Sequence, residues 1–94
     1  MAWTIEPTRR FERELAKLDH PIQRKILNYL ETRVAASADP RTLGKALGYD
    51  LAGFWRYRVG DYRVGDYRIL CKIEDEKLVI VAVSVAHRSV VYDR

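Results

Sequence analysis

The stretch that decides the fold runs from residue 54 to residue 88 and reads FWRYRVGDYRVGDYRILCKIEDEKLVIVAVSVAHR. Much of it alternates polar and apolar residues with a period of two, which is typical of strands. Phe54 to Val59 and Tyr67 to Glu74 are therefore predicted strands, and Asp75-Glu76 is the predicted turn to a third. The third strand, Leu78 to Val85, is almost entirely β-branched or small and apolar, so we expect it to be central and buried on both faces.

Working back toward the N-terminus, the apolar period changes from two to that of a helix. Apolar residues recur at helical spacing from Phe11 to Leu18 and again from Ile22 to Val34, and Asp19-His20-Pro21 marks the break between two helices. The second helix should end before Asp39-Pro40, because the residue before proline avoids the helical region. Residues 39–53 then read as a connecting loop with a possible turn of helix.

A short alternating segment, residues 2–6, predicts a first strand at an edge of the sheet, and Pro7 is well placed to open the first helix. The order of elements predicts an α+β fold. It consists of an N-terminal strand, a two-helix hairpin and an antiparallel sheet of three further strands.

A five-residue tandem repeat lies near the junction of the second and third strands. Tyr57-Arg58-Val59-Gly60-Asp61 recurs as residues 62–66, and Tyr67-Arg68 begins a third copy. The unit is odd in length, so a continuous strand would turn successive arginines to opposite faces. We expect the extra five residues to leave the ladder as an enlarged loop or bulge. Alternatively, the second copy replaces the first in the ladder. Two near-identical registers also favour a strand-exchanged homodimer.

Length and composition limit the remaining choices. The chain has 94 residues, of which 48% are hydrophobic and 32% charged, so we expect residues 1–94 to form a single globular domain. The longest apolar run, Leu78 to Val83, is far short of the ~20 residues of a membrane span, and residues 1–7 lack the layout of a signal peptide. Cys71 is the only cysteine. This excludes an internal disulfide and favours the cytoplasm, without a membrane partner.

The net charge of +4 is localised. Residues 41–72 hold seven basic against three acidic residues, and the rest of the chain is balanced. Aromatic residues are interleaved with the basic ones, an arrangement that offers cations to phosphates and flat faces to bases. The alternative is a hairpin whose solvent face is rich in arginine. The interleaved aromatic residues are Trp55, which we expect to pack in the sheet, and Tyr57, Tyr62 and Tyr67.

The segment WRYRVGDYR at residues 55–63, followed by a hairpin and by HR-x-x-x-Y at residues 87–92, resembles the RelE/ParE superfamily of toxins from toxin–antitoxin systems. The resemblance covers almost the whole chain. Its RelE branch implies a ribonuclease that cuts messenger RNA on the ribosome, without a metal or other cofactor. It also implies a RelB-like antitoxin as partner. The ParE branch implies instead an inhibitor of DNA gyrase that cuts nothing. A plain RNA-binding module is a third interpretation.

The resemblance also suggests roles for individual residues. The cations Arg56, Arg58 and Arg68 match the basic pair and the phosphate-contacting arginine, and Arg88 matches the arginine after the last strand. Arginine clamps phosphates well but stays protonated above pH ~12, so it is a poor base. Histidine is the side-chain type best suited to proton transfer near neutral pH, so His87 is our candidate general acid or base. The remaining candidates are Tyr92, as a base-stacking residue, and Arg63 and Lys72, as further RNA-binding cations.

Each assignment has a structural alternative. His87 is otherwise a surface histidine at a strand end, and Tyr92 a packed C-terminal aromatic residue. His20, beside a helix start, and Cys71, alternating with core residues, are expected to be structural. The repeat bears on the site as well, because it separates Arg56 and Arg58 from Arg68. If it misplaces one cation by about 1 Å, the rate falls on the order of 100-fold. One hypothesis is therefore that the repeat is an attenuating insertion.

Overall fold

The computed structural model describes residues 3–61 and 65–88 and shows a five-stranded mixed sheet with two helices on one face. The strand order is β1-β5-β4-β3-β2. The strands are β1 Thr4–Pro7, β2 Lys45–Ala46, β3 Trp55–Asp61, β4 Gly65–Glu74 and β5 Val79–His87; the helices are α1 Arg9–Ala16 and α2 His20–Tyr29. The predicted α+β architecture is confirmed, with β1 at an edge and parallel to β5.

Three local features differ from the sequence-based expectation. The predicted loop contains the two-residue strand β2, which pairs with the start of β3. Pro7 ends β1 instead of opening α1, because Thr8 accepts from the Phe11 N–H and caps the helix. The second helix widens at Leu30–Val34 into a π-helical turn, where the Ala35 N–H donates to the Leu30 carbonyl at 2.7 Å.

The core lies between the helices and the facing side of the sheet. The apolar stripe of the helices packs on alternate residues of β3, β4 and β5, as the two periods predict. No helix in the described parts of the chain is long and apolar enough to cross a membrane. The core residues that are at most 1% exposed are Phe11, Ile26, Leu30, Val34, Tyr57, Ile69, Cys71, Ile80 and Ala82.

A β-bulge in β5 sets which side chains reach each face. Leu70 pairs with Ser84 but Cys71 pairs with Ala82, so Val83 is an extra residue on β5. The bulged backbone is held from α1, where the Thr8 hydroxyl donates to the Val83 carbonyl at 2.9 Å. Because of the extra residue, the alternation of β5 shifts by one from Ser84 onward.

The tandem repeat pairs with itself across the β3–β4 hairpin. Val59 lies opposite Tyr67, Gly60 opposite Asp66 and Asp61 opposite Gly65. The expectation that five residues leave the ladder is therefore wrong. The ladder is continuous up to Asp61 and Gly65, and only residues 62–64, outside the described part, connect the two strands. The repeat lengthens the hairpin, because antiparallel pairing continues from Val59 and Tyr67 through Gly60 and Asp66 to Asp61 and Gly65.

Tyr57 anchors the chain before β2 to the middle strands. Its ring is fully buried, and its hydroxyl donates to the Pro40 carbonyl at 2.8 Å. At Gly44 a Cβ would lie 2.9 Å from the Tyr57 ring, so only glycine permits this approach. The contact fixes the position of β3 and, with it, of the neighbouring residues Arg56 and Arg58.

Cys71 is fully buried, and burial raises the pKa of its thiol from 9.0 to about 12. Its contribution to stability is fully present below about pH 9 and is lost as the pH rises toward 12, since the unfolded thiol releases its proton first. We expect the free energy of unfolding to fall by about 1 kcal/mol more between pH 8 and pH 10 in the parent protein than in Cys71→Ala. Urea denaturation at the two pH values measures this, and equal losses would contradict it.

Candidate nucleic-acid interface

Four basic residues share the sheet face that lies away from the helices, and we call this set the arginine face. Arg58 on β3 lies directly opposite Arg68 on β4, so their side chains leave the same side of the sheet. The residues between them in sequence, such as Tyr57 and Ile69, point into the core. The members of the arginine face are Arg56, Arg58, Arg68 and Lys72. The alternation of the two paired strands thus brings together cations that are up to 16 residues apart in the chain.

A row of paired residues crosses this face at the level of Arg56. Lys45 on β2 pairs with Arg56, Arg56 with Leu70, and Leu70 with Ser84 on β5. Lys45 therefore adds a further cation to the edge of the arginine face. The sequence analysis missed it because residues 39–53 read as loop. The signal that could have found it is its place in the basic segment 41–72.

The buried polar atoms on this face that lack a hydrogen-bond partner among the described residues include Nε of Arg56. They also include Oγ of Ser84, whose residue is only 1% exposed. Buried polar groups are nearly always hydrogen-bonded, so an unsatisfied donor calls for an explanation. An anionic ligand would supply an acceptor for the Arg56 donor, and the surrounding charge favours a phosphate or carboxylate oxygen.

Arg58 already has an anionic partner within the chain. Its Nη2 atom donates to Oδ2 of Asp66 at 2.6 Å. The Arg58 side chain is 53% exposed and that of Asp66 30% exposed, so the pair is accessible to solvent. Exposed ion pairs of this kind are weak.

Lys72 marks the other end of the arginine face. Its ammonium lies 5.0 Å from the centre of the Phe54 ring, within the range of a cation–π contact. Trp55, the next residue, is partly buried and packs against the core, as expected from the sequence. Phe54 is therefore the aromatic residue beside Lys72, whereas the Trp55 ring lies 5.8 Å from the guanidinium carbon of Arg41.

His87 does not lie on the arginine face. It pairs with Tyr67 and lies on the helix-side face, where the two rings meet edge to face with centroids 5.2 Å apart. A Cβ at Gly65 would be 3.1 Å from His87 Nε2, so His87 fits against the end of β4. Arg88 follows β5 and its N–H donates to the Asp66 carbonyl at 2.8 Å. The proposed residues Arg63 and Tyr92 lie outside the described residues.

A second basic feature lies next to Arg58, in an open groove of about 300 Å³ between α2 and the edge of β3. Lys25 and Arg33, one on α2 and one on the π-helical turn, face it together with Arg58. The sequence analysis did not identify these two helix residues as candidates. The remaining lining residues are Asn28, Tyr29, Thr32, Val59 and Gly60. The arginine face thus continues around the edge of the sheet as a basic surface.

Two other sequence assignments concern residues away from this surface. His20 is exposed at the first turn of α2, and Cys71 is buried in the core. Neither residue lies on the arginine face.

Comparison with known proteins agrees with the resemblance seen in the sequence. The family described as "ParE toxin of type II toxin-antitoxin system, parDE" matches residues 5–92. A search of curated proteins gave no match.

Solved structures of toxins match over nearly the full chain. The toxin–antitoxin complex RelBE2 from Mycobacterium tuberculosis matches with 29% identity and a TM-score of 0.82, over 96% of this chain and 95% of that one. A free double arginine-to-alanine mutant of E. coli RelE matches with 24% identity and a TM-score of 0.70, over 93% and 84%. The archaeal RelE–RelB complex from Pyrococcus horikoshii matches with 19% identity and a TM-score of 0.59, over 97% and 100%.

The last two similarities establish the fold alone, whereas the family match covers nearly every residue of the chain. Fold, strand order and sequence motif agree with one another. The chain therefore belongs to the ParE toxin family of the RelE/ParE superfamily, and it is a RelE-like toxin of a type II toxin–antitoxin system.

Proposed function

We propose that the protein is a ribosome-dependent endoribonuclease that cuts messenger RNA through its arginine face. The observation that carries the proposal is the opposed pair Arg58 and Arg68, with Arg56 one rung further along the same face. Three guanidinium groups on one face suit a phosphodiester and the extra charge that develops on it during cleavage. The basic groove at Lys25 and Arg33 gives a path for the neighbouring phosphates of the same strand.

The proposed reaction is attack of a ribose 2′-oxygen on the adjacent phosphorus. A bond from the 2′-oxygen to phosphorus forms, the bond from phosphorus to the 5′-oxygen breaks, and the products carry a 2′,3′-cyclic phosphate and a 5′-hydroxyl. One proton is removed from the 2′-hydroxyl, and one proton is added to the leaving 5′-oxygen. The step therefore requires no oxidant or further reactant. The arginines stabilise the charge on the phosphate oxygens.

Proton transfer is the step that the arginines suit least. We propose that His87 transfers the proton. The position of His87 restricts the path that the RNA can take. Because His87 lies on the helix-side face, the RNA must pass around the end of β5 to reach both His87 and Arg68. Arg88, at this same end, is placed to hold a phosphate there. Tyr92 and Arg63 keep their proposed roles in base stacking and RNA binding.

We propose a RelB-like antitoxin as the neutralising partner. Solved structures similar to this chain include complexes of RelE with RelB. An acidic segment of such an antitoxin would bind the arginine face by charge complementarity and compete with RNA. Action on ribosomes would place the free toxin in the cytoplasm. The strand-exchanged homodimer stays a prediction.

Primer extension on a defined message in a purified translation system tests the activity. We expect cuts within codons that appear only when both translating ribosomes and the protein are present. The same message incubated with the protein but without ribosomes is the control and should stay intact. Uncut message in the complete system would contradict the proposal.

A gyrase inhibitor is the second candidate, and the match to the ParE family specifically favours it. Under that proposal the basic surface would bind gyrase or its DNA, and message would stay intact. A supercoiling assay with purified gyrase distinguishes the two, because only the ParE-type activity would inhibit supercoiling while leaving translation unaffected.

A further inference from the structure

The carboxylate of Asp66 is in contact with Arg58, a member of the arginine face. It lies two residues before Arg68 on β4, so both side chains leave the same side of the strand. Across the ladder it faces Gly60, which has no side chain to separate it from Arg58. Its carboxylate accepts from Arg58 Nη2 at 2.6 Å.

A carboxylate and a phosphodiester present the same kind of oxygen to a guanidinium group. While Arg58 donates to Asp66, that part of its donor fork is unavailable to a phosphate. The negative charge of Asp66 also repels a phosphate that approaches Arg68. Because the pair is exposed and therefore weak, a phosphate can displace the carboxylate, although at a cost in affinity.

We propose that Asp66 is an internal competitor that occupies the phosphate-binding position of Arg58 and lowers the affinity of the arginine face for RNA. This inference rests on the proposed function, since it assigns a regulatory role to a side chain within the same site. Asp66 is a residue that adjusts binding, and it takes no part in the bond-making step.

The geometry allows this role to be tested without disrupting the strand. The Asp66 carbonyl accepts from the Arg88 N–H at 2.8 Å, and this backbone contact does not depend on the carboxylate. Asp66→Asn keeps the shape of the side chain and removes its charge. Deleting residues 62–66 is a different experiment, because it joins Asp61 to Tyr67 and restores an aspartate before the tyrosine.

The first measurement compares Asp66→Asn with Asp50→Asn in binding to a short fluorescent single-stranded RNA. Asp50 is exposed in the turn Tyr49–Leu51, before β3 begins, so its substitution changes the net charge by the same amount at the opposite end of the strand. We expect Asp66→Asn to bind about 2- to 5-fold more tightly than Asp50→Asn, as suits an exposed ion pair. Equal affinities of the two variants would overturn the proposal.

A double-mutant cycle with Arg58→Gln identifies the route of the effect. If Asp66 acts by occupying Arg58, the gain from Asp66→Asn should fall to that of Asp50→Asn in the Arg58→Gln background. A gain that persists there would contradict the proposal. So would loss of ribosome-dependent cleavage in a folded Asp66→Asn variant, because that outcome would make Asp66 a catalytic base. Asp66→Ser provides a second variant if thermal unfolding shows that Asp66→Asn is destabilised.

Inorganic phosphate separates this inference from the proposed function. In NMR titrations that observe the Arg58 side chain, we expect phosphate to shift its signals at a lower concentration in Asp66→Asn than in the parent or in Asp50→Asn. This result would support the competitor role even if neither RNA binding nor cleavage were found. Identical titrations in all three proteins would overturn it, whatever the RNA activity.

Discussion

Replacing Arg68 with glutamine is expected to lower the rate of ribosome-dependent cleavage about 100- to 1000-fold, because a positioned cation at the reacting phosphate is removed. Arg68 lies on β4, which is flanked by β3 and β5, and it is directly opposite Arg58. Glutamine retains some hydrogen-bonding capacity but carries no charge. Single-turnover cleavage of ribosome-bound message measures the effect, with protein in excess so that weakened binding does not limit the rate.

Arg24→Gln is the matched control for this substitution. Arg24 is exposed on α2 and lies outside both the arginine face and the groove. Its substitution therefore removes the same charge at a site away from both surfaces. We expect its cleavage rate to stay within about twofold of the parent, since isolated surface charges contribute little. Equal rates for Arg68→Gln and the parent, with both proteins folded, would remove Arg68 from the site. Equal losses in both variants would indicate a dependence on overall charge alone.

The largest effect on stability is expected at Ile26. This side chain is fully buried against the sheet, and its truncation to alanine should cost about 2–5 kcal/mol through lost burial and the cavity that remains. At roughly 4–8 °C per kcal/mol for a domain of this size, the melting temperature should fall by about 10 °C or more. Thermal unfolding followed by circular dichroism measures it.

The adjacent residue supplies the control. Leu27 is on the same helix but 41% exposed, so Leu27→Ala should change the free energy of unfolding by only about 0.5 kcal/mol. Both substitutions introduce alanine, so a gain in helix propensity is common to them. Similar losses in the two variants would mean that the helix does not pack on the sheet as described.

The elements with strong periodicity could be predicted from the sequence, and the short or irregular ones could not. The helical spacing from Phe11 onward and the alternation in β4 gave both the type and the burial of those elements. β2 has only two residues, and it forms because β3 provides a strand to pair with. No local sequence pattern therefore predicts it. The π-helical turn at Leu30–Val34 likewise arises from hydrogen bonding and not from residue type.

The candidate site was predictable where strands run without interruption. Arg56 and Arg58 share a face because they are two residues apart, and the β3–β4 register adds Arg68. The position of His87 could not be read in this way. If β5 kept regular alternation from Ala82 through Val83 with no bulge, His87 would lie on the arginine face. Because Val83 is an extra residue in the ladder, His87 lies on the other side. A single bulge thus decides on which face of the sheet His87 lies. No sequence pattern predicts this bulge.

The self-paired repeat has a consequence for how this gene can change. A unit of five residues corresponds to fifteen nucleotides, so gain or loss of a copy preserves the reading frame. Loss of residues 62–66 would also regenerate an unaltered junction, with Asp61 before Tyr67. Because new residues enter at the tip of the hairpin, the rungs from Trp55 to Arg58 can retain their partners. The number of five-residue repeats at the tip of the β3–β4 hairpin can therefore vary between lineages, while the pairing of the rest of the sheet is preserved.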